Sequence, residues 1–97
     1  MGLVRKGRRG GREAGFLITW DIDSADRSAV DRVRRFVFGY RVRVNGTMYR
    51  YAGFVFRAGV RYMGQSSLFV RASLRDEISA FLQSLGVDHE TIPATVG

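Results

Sequence analysis

The period at which apolar residues recur switches four times along this chain, and those switches constrain its fold more firmly than any single residue. Over residues 16–23 (FLITWDID) apolar and polar positions alternate, with Ile18, Trp20 and Ile22 facing one way and Leu17, Thr19, Asp21 and Asp23 the other, as in a strand. Ala29, Val30, Val33, Phe36 and Val37 then recur at helical spacing, with Asp23 or Ser24 as N-cap and Gly39 as terminator, which predicts a helix over about 25–38. From Tyr40 the period returns to two. Tyr40, Val42 and Val44 alternate with Arg41 and Arg43, and Asn45-Gly46 supplies the residues of a tight hairpin turn. A return strand over 47–57, then 60–63 and 67–72, predicts a β-meander. Ser73, with Asp76 three residues on, has the form of a capping box, and Leu74, Ile78, Phe81, Leu82 and Leu85 make an amphipathic stripe that ends at Gly86. Residues 90–96, interrupted by Pro93, read as an edge strand or tail. Strand, helix, strands, helix, strand is the order of an α/β domain of the α+β kind, a two-layer sandwich with two helices on one face of an antiparallel sheet.

With 97 residues one core is the ceiling, and 45% hydrophobic residues are enough to fill it without metal or disulfide. Residues 1–15 cannot contribute to it. Arg5, Lys6, Arg8, Arg9 and Arg12 are set among Gly2, Gly7, Gly10, Gly11 and Gly15, which reads as a flexible basic arm ahead of a single domain over 16–97. The absence of cysteine excludes disulfides and thiolate chemistry and fits a cytoplasmic chain. No apolar run approaches the roughly 18 residues that span a bilayer, so a membrane is not among the expected partners.

The distribution of charge narrows the function. The formal charge is +7, and between Asp31 and Asp76 there is no carboxylate although ten arginines occur. Phosphate is the counter-surface that guanidinium forks match best, so nucleic acid, DNA or RNA, is the expected partner. Arg5, Lys6, Arg8, Arg9 and Arg12 of the arm, with Arg41, Arg43, Arg50, Arg57 and Arg61, are the candidate contacts. Tyr49 and Tyr51 are candidates for base stacking. Arg50 to Phe56 resembles the aromatic octapeptide of RNA-recognition motifs, one residue short and differently spaced.

Asp21, Asp23, Asp26 and Asp31 concentrate acid in a basic chain. Asp23 suits a cap, Asp26 the helix dipole, and Asp31 neighbouring arginines. Asp21 has no such duty. At the end of a strand it is the candidate catalytic and metal-binding residue, suited to Mg or Mn held through oxygen in a phosphodiesterase. His89 is the single histidine and reads as exposed; no nucleophile elbow or phosphate loop occurs.

Ile18-Thr19-Trp20-Asp21-Ile22-Asp23, followed by Asp26-Arg27 and Arg34-Arg35, resembles the opening of the small CRISPR-associated adaptation proteins, a ferredoxin-like family related to virulence-associated protein D. Gln65-Ser66-Ser67-Leu68-Phe69 is similar to that family's Gln-x-Ser-Val-Phe strand, and residues 74–85 fall where its second helix stands. The resemblance implies a ferredoxin-like fold, a homodimer with Asp21 near its axis, and either metal-dependent nuclease activity or a DNA-holding role beside an integrase-type protein. Trp20 replaces the family's usual tyrosine, the basic arm is additional, and residues 40–57 look like an inserted hairpin. Three functional classes follow: a dimeric nucleic-acid-binding protein, a metal-dependent endonuclease using Asp21, and a protein-binding scaffold subunit.

Overall fold

The structure, a computed structural model, describes residues 12–97. Arg5, Lys6, Arg8 and Arg9 of the expected basic arm lie outside the described residues.

Four strands form one antiparallel sheet. They are β1 (Glu13–Asp21), β4 (Val60–Gly64), β5 (Ser67–Arg71) and β6 (Asp88–Val96), neighbouring in the order β4-β5-β1-β6. Helix α1 (Arg27–Phe38) follows β1, and α2 (Arg75–Ser84) joins β5 to β6. Between α1 and β4 a separate two-stranded sheet is interposed, β2 (Gly39–Val44) with β3 (Thr47–Ala52). The main chain order is therefore β-α-β-β-α-β with an extra hairpin, a mixed α/β domain with antiparallel sheets and two helices.

The pleat sorts the sheet into two faces. Ile18, Leu68 and Val70 are fully buried on one of them, and they share a core with Val33 and Val37 of α1 and Ile78 and Leu82 of α2, so both helices cover that face. Phe36 binds the layer together. Its ring stacks 3.9 Å from Phe81 of α2 and 5.2 Å from Phe54, which sits in a short 3₁₀ turn (Phe54–Phe56) after β3. Burying these side chains stabilises the fold by roughly 1.5–3 kcal/mol each.

β1 begins at Glu13, within the stretch assigned to the arm. The glycine there has a packing role: a Cβ on Gly15 would lie 2.7 Å from the Phe69 ring and 2.2 Å from the Val70 carbonyl. Phe69 thus buries itself on the open face of the sheet over a residue without a side chain, and Glu13 pairs with Arg71 at 3.3 Å. Strand β6 pairs with β1 along its whole length, from Asp21 opposite Asp88 to Glu13 opposite Val96. Pro93 is accommodated because β6 is an edge strand and needs bonds on one side only.

The helix starts differ from the sequence expectation. Asp26 is the N-cap of α1, its Oδ1 accepting from the Ala29 N–H at 3.1 Å, while Asp23 closes the preceding turn by accepting from the Ala25 N–H at 3.0 Å. Ser73 caps nothing. It lies in a 3₁₀ turn (Ala72–Leu74) that runs directly into α2, whose start is favoured instead by Asp76 and Glu77 in the first turn. Among the described residues no helix is long and apolar enough to cross a membrane.

Candidate nucleic-acid interface

Asn45 and Gly46 adopt φ of 51° and 82°, the pair of left-handed residues a two-residue hairpin loop requires. Their geometry fixes the register: Tyr40 lies opposite Tyr51, Arg41 opposite Arg50, Val42 opposite Tyr49 and Arg43 opposite Met48. One face of the ribbon is therefore Arg41, Arg43, Arg50 and Met48. The other is Tyr40, Val42, Val44, Tyr49 and Tyr51. Neither face is covered by the domain, and all of β3 is exposed.

The ribbon leaves the domain through a backbone crossing that tolerates no side chain. A Cβ on Gly53 would lie 2.3 Å from the Val37 carbonyl oxygen, and one on Gly39, at φ 86°, would lie 2.3 Å from that of Tyr51. Gly53 also ends the alternation that suggested a strand through Arg57. Phe54 consequently turns into the core, and Phe56 turns out to solvent at 74% exposure. The octapeptide-like segment from Arg50 to Phe56 is half strand and half turn, so its aromatics do not share one platform.

The electrostatics of the ribbon are unbalanced. Arg41 and Arg50 face each other directly, an arrangement that costs free energy unless an anion compensates it. Among the described residues the ion pairs are Arg35–Asp31 at 3.2 Å, Arg57–Glu77, Arg71–Glu13 at 3.3 Å and Arg75–Asp76 at 3.1 Å, and none involves the ribbon. The structure thus gathers Arg41, Arg43 and Arg50 of the expected contacts on one surface. It does not place Arg57 or Arg61 there. Arg57 packs over the Phe54 ring at 5.5 Å while paired with Glu77, and Arg61, on β4, donates from Nη1 to the Gly97 carbonyl oxygen at 3.3 Å. Arg12 is exposed just ahead of β1.

Of the stacking candidates, Tyr51 is already engaged. Its ring stacks on Tyr40 at 4.8 Å, and the Arg35 guanidinium lies 5.3 Å over Tyr40. Tyr49 remains half exposed beside them. At the root of the arginine face a cleft of about 300 Å³ is lined by Phe38, Gly39, Tyr40, Arg41, Arg50, Tyr51 and Phe56. Reasoning from the sequence overlooked Phe38 and ranked Phe56, within the octapeptide-like segment, below the tyrosines. The signal that could have found them is Ala52-Gly53, which stops the strand two residues after Tyr51.

Asp21 is exposed at the end of β1, opposite Asp88, on the open face with Thr19 and Glu90. It borders a cleft of about 600 Å³ whose walls include Trp20, Ile22, Arg34, Phe38 and Tyr62. Among the described residues no group of three His, Cys, Asp or Glu side chains is placed to hold a metal ion. His89 is half-buried rather than exposed: its Nε2 is 2.9 Å from Ser79 Oγ and its Nδ1 is 3.2 Å from the Val87 carbonyl oxygen.

The chain matches no family model, no curated protein and no solved structure. Its function has to be argued from the ribbon and the domain that carries it.

Proposed function

We propose that this is a small nucleic-acid-binding protein, homodimeric and built on a ferredoxin-like domain, whose projecting ribbon lays Arg41, Arg43 and Arg50 against a phosphate backbone. The observation that carries the reading is Arg41 held directly opposite Arg50 on an exposed ribbon, with no carboxylate of the ribbon to neutralise either. A polyphosphate converts that repulsion into two adjacent contacts, and guanidinium is the cation whose geometry suits it. The β-α-β-β-α-β order with β1 at the sheet's centre supports the ferredoxin-like assignment, and with it the resemblance to the small CRISPR-associated adaptation proteins. Leu17, half-buried, and Ile92, exposed beside it on β6, give the open face an apolar strip over the buried Phe69, which supports pairing of two copies.

The test is the salt dependence of binding. Three ribbon contacts contribute a slope of about −2.7 in log K against log salt on duplex DNA, or about −2 on a single strand. Replacing Arg41, Arg43 and Arg50 together by alanine removes that part of the slope. A triple variant with unaltered affinity and slope overturns the proposal. The endonuclease reading has one observation in its favour, the two carboxylates Asp21 and Asp88 side by side at the end of the sheet. Cleavage that requires Mg or Mn and is abolished by Asp21→Asn would replace the present reading with that one.

A further inference from the structure

We infer that the cleft at the root of the ribbon's arginine face takes an unstacked base of a single-stranded nucleic acid, with Phe38 and Phe56 contacting the base and Arg41 and Arg50 its flanking phosphates. The inference rests on the nucleic-acid reading above and specifies its substrate class.

Three observations carry it. First, seven of the ten exposed large apolar side chains among the described residues fall between Phe38 and Phe56, on the ribbon or at its two ends. Contiguous exposed apolar surface marks a binding site in a soluble protein, and Phe56, 74% exposed, stands in this stretch. Secondly, the two phenylalanines and the two facing arginines line one cleft of about 300 Å³, near the lower end of the range for small-ligand sites. A base with its phosphate combines the two chemistries this cleft offers: a π-face for the phenylalanines and negative charge for the guanidinium groups. Thirdly, the cleft has firm walls. Phe38 is the last residue of α1 and is backed edge-on by Tyr62 of β4 at 5.5 Å. Phe56 closes a 3₁₀ turn anchored by Phe54, which is buried in the core.

Single strand is favoured over duplex by the aromatics. Paired bases are already stacked on both faces, so a duplex laid on the arginine face satisfies Arg41 and Arg50 but leaves Phe38 and Phe56 against phosphate or water. A single strand can turn a base into the cleft, the arrangement by which sequence-tolerant single-strand binders combine a cationic track with aromatic stacking.

The test uses the full chain and three labelled probes of equal length, oligo(dT), oligo(rU) and a mixed-sequence DNA duplex, at one salt concentration. Wild-type protein is expected to bind at least one single strand more tightly than the duplex. Phe56→Ala should weaken single-strand binding about five- to a hundredfold, as removal of a stacking aromatic does, and change duplex binding less than about twofold. Phe56→Trp should restore it. Because Phe56 is largely exposed, Phe56→Ala folds as the wild type, which circular dichroism checks. Oligo(dT) bound above oligo(rU), or the reverse, assigns the cleft to DNA or RNA, and either supports the inference. Unchanged single-strand affinity in Phe56→Ala, or a preference for duplex, overturns the inference while leaving the nucleic-acid reading intact. Phe56→Ala that binds as wild type but sediments as a smaller species also overturns it, because the cleft would then be covered by a second copy. No binding to any probe overturns the broader reading itself.

Discussion

Reversing one charge on the ribbon separates what its arginines do for the protein from what they do for a ligand. In Arg50→Glu the residue opposite Arg41 becomes a carboxylate, so a cross-strand repulsion becomes an attraction. Facing β-carbons lie about 5 Å apart, and two unit charges about 6 Å apart in water interact by roughly 0.7 kcal/mol, within the ~0.2–1 kcal/mol found for cross-strand pairs. Removing that repulsion and gaining a comparable attraction should stabilise the ribbon by about 0.4–2 kcal/mol. The gain is local, because the ribbon pairs with itself and not with the four-stranded sheet. Amide hydrogen exchange is therefore the assay: protection of the β2 and β3 amides should rise roughly 2- to 30-fold, with amides of β1 and β5 unaffected. Salt supplies a sign test. Shortening the Debye length from about 8 Å to about 3 Å should increase ribbon protection in the wild type and decrease it in Arg50→Glu. The same substitution should weaken nucleic-acid binding. If ribbon protection is unchanged by both the substitution and salt, the two guanidinium groups do not interact, and the argument from their repulsion fails.

Two further substitutions test the elements that hold the ribbon and α1 in place. Asp26→Ala removes the side-chain cap on the Ala29 N–H and should cost about 1 kcal/mol in a urea titration; no loss would mean that Asp23 or water substitutes for the cap. Gly53→Ala puts a Cβ 2.3 Å from the Val37 carbonyl oxygen, against backbone that cannot yield cheaply, and should destabilise the protein by about 2 kcal/mol or more. A Gly53→Ala variant as stable as the wild type would refute the close backbone crossing at the ribbon's root.

How much of this was legible in the sequence follows from the range over which each signal acts. Local signals were readable. The alternation around Ile18 and Trp20, the Asn45-Gly46 turn with the hairpin it closes, and the helical stripes of Val33/Val37 and Ile78/Leu82 all appear in the structure. Features set by a distant partner were not. Gly15 looks like arm composition until Phe69, far away in sequence, is found filling its missing side chain. His89 reads as exposed until Ser79 of α2 comes within 2.9 Å of it. Ser73 matches a capping box by spacing, but a 3₁₀ turn carries the chain into α2 and displaces the cap by a residue. At the candidate site, the alternation put Arg41 and Arg43 on one face, and the hairpin register adds Arg50 opposite Arg41. Arg57 could not be separated from them without knowing that Gly53 ends the strand and that Glu77 lies within reach.

The ribbon contributes nothing to the core, and this makes a decisive deletion possible. No residue between Gly39 and Ala52 belongs to the buried cluster, which passes from Val37 of α1 directly to Phe54. Gly39 and Ala52 are cross-strand partners at the root, so a two-residue Asn-Gly loop can replace residues 40–51 without moving either end. An isolated two-stranded ribbon is marginally stable in water, and this one meets the domain at its root, where Arg35 lies over Tyr40, without entering the core, so it adds little to the fold. The shortened protein should therefore unfold cooperatively with a stability within about 1 kcal/mol of the full chain, the usual range for surface changes being ~0.5 kcal/mol. It should also lose the salt-dependent binding that the three arginines supply. The two readouts answer different questions. A shortened protein that unfolds, or that loses several kcal/mol, would mean the ribbon is part of the core and its exposure has been misread. One that stays folded and binds with the affinity and salt slope of the full chain would place the phosphate contacts elsewhere, on residues 1–12 or the open face of the sheet, and would remove the ribbon from the account of function altogether.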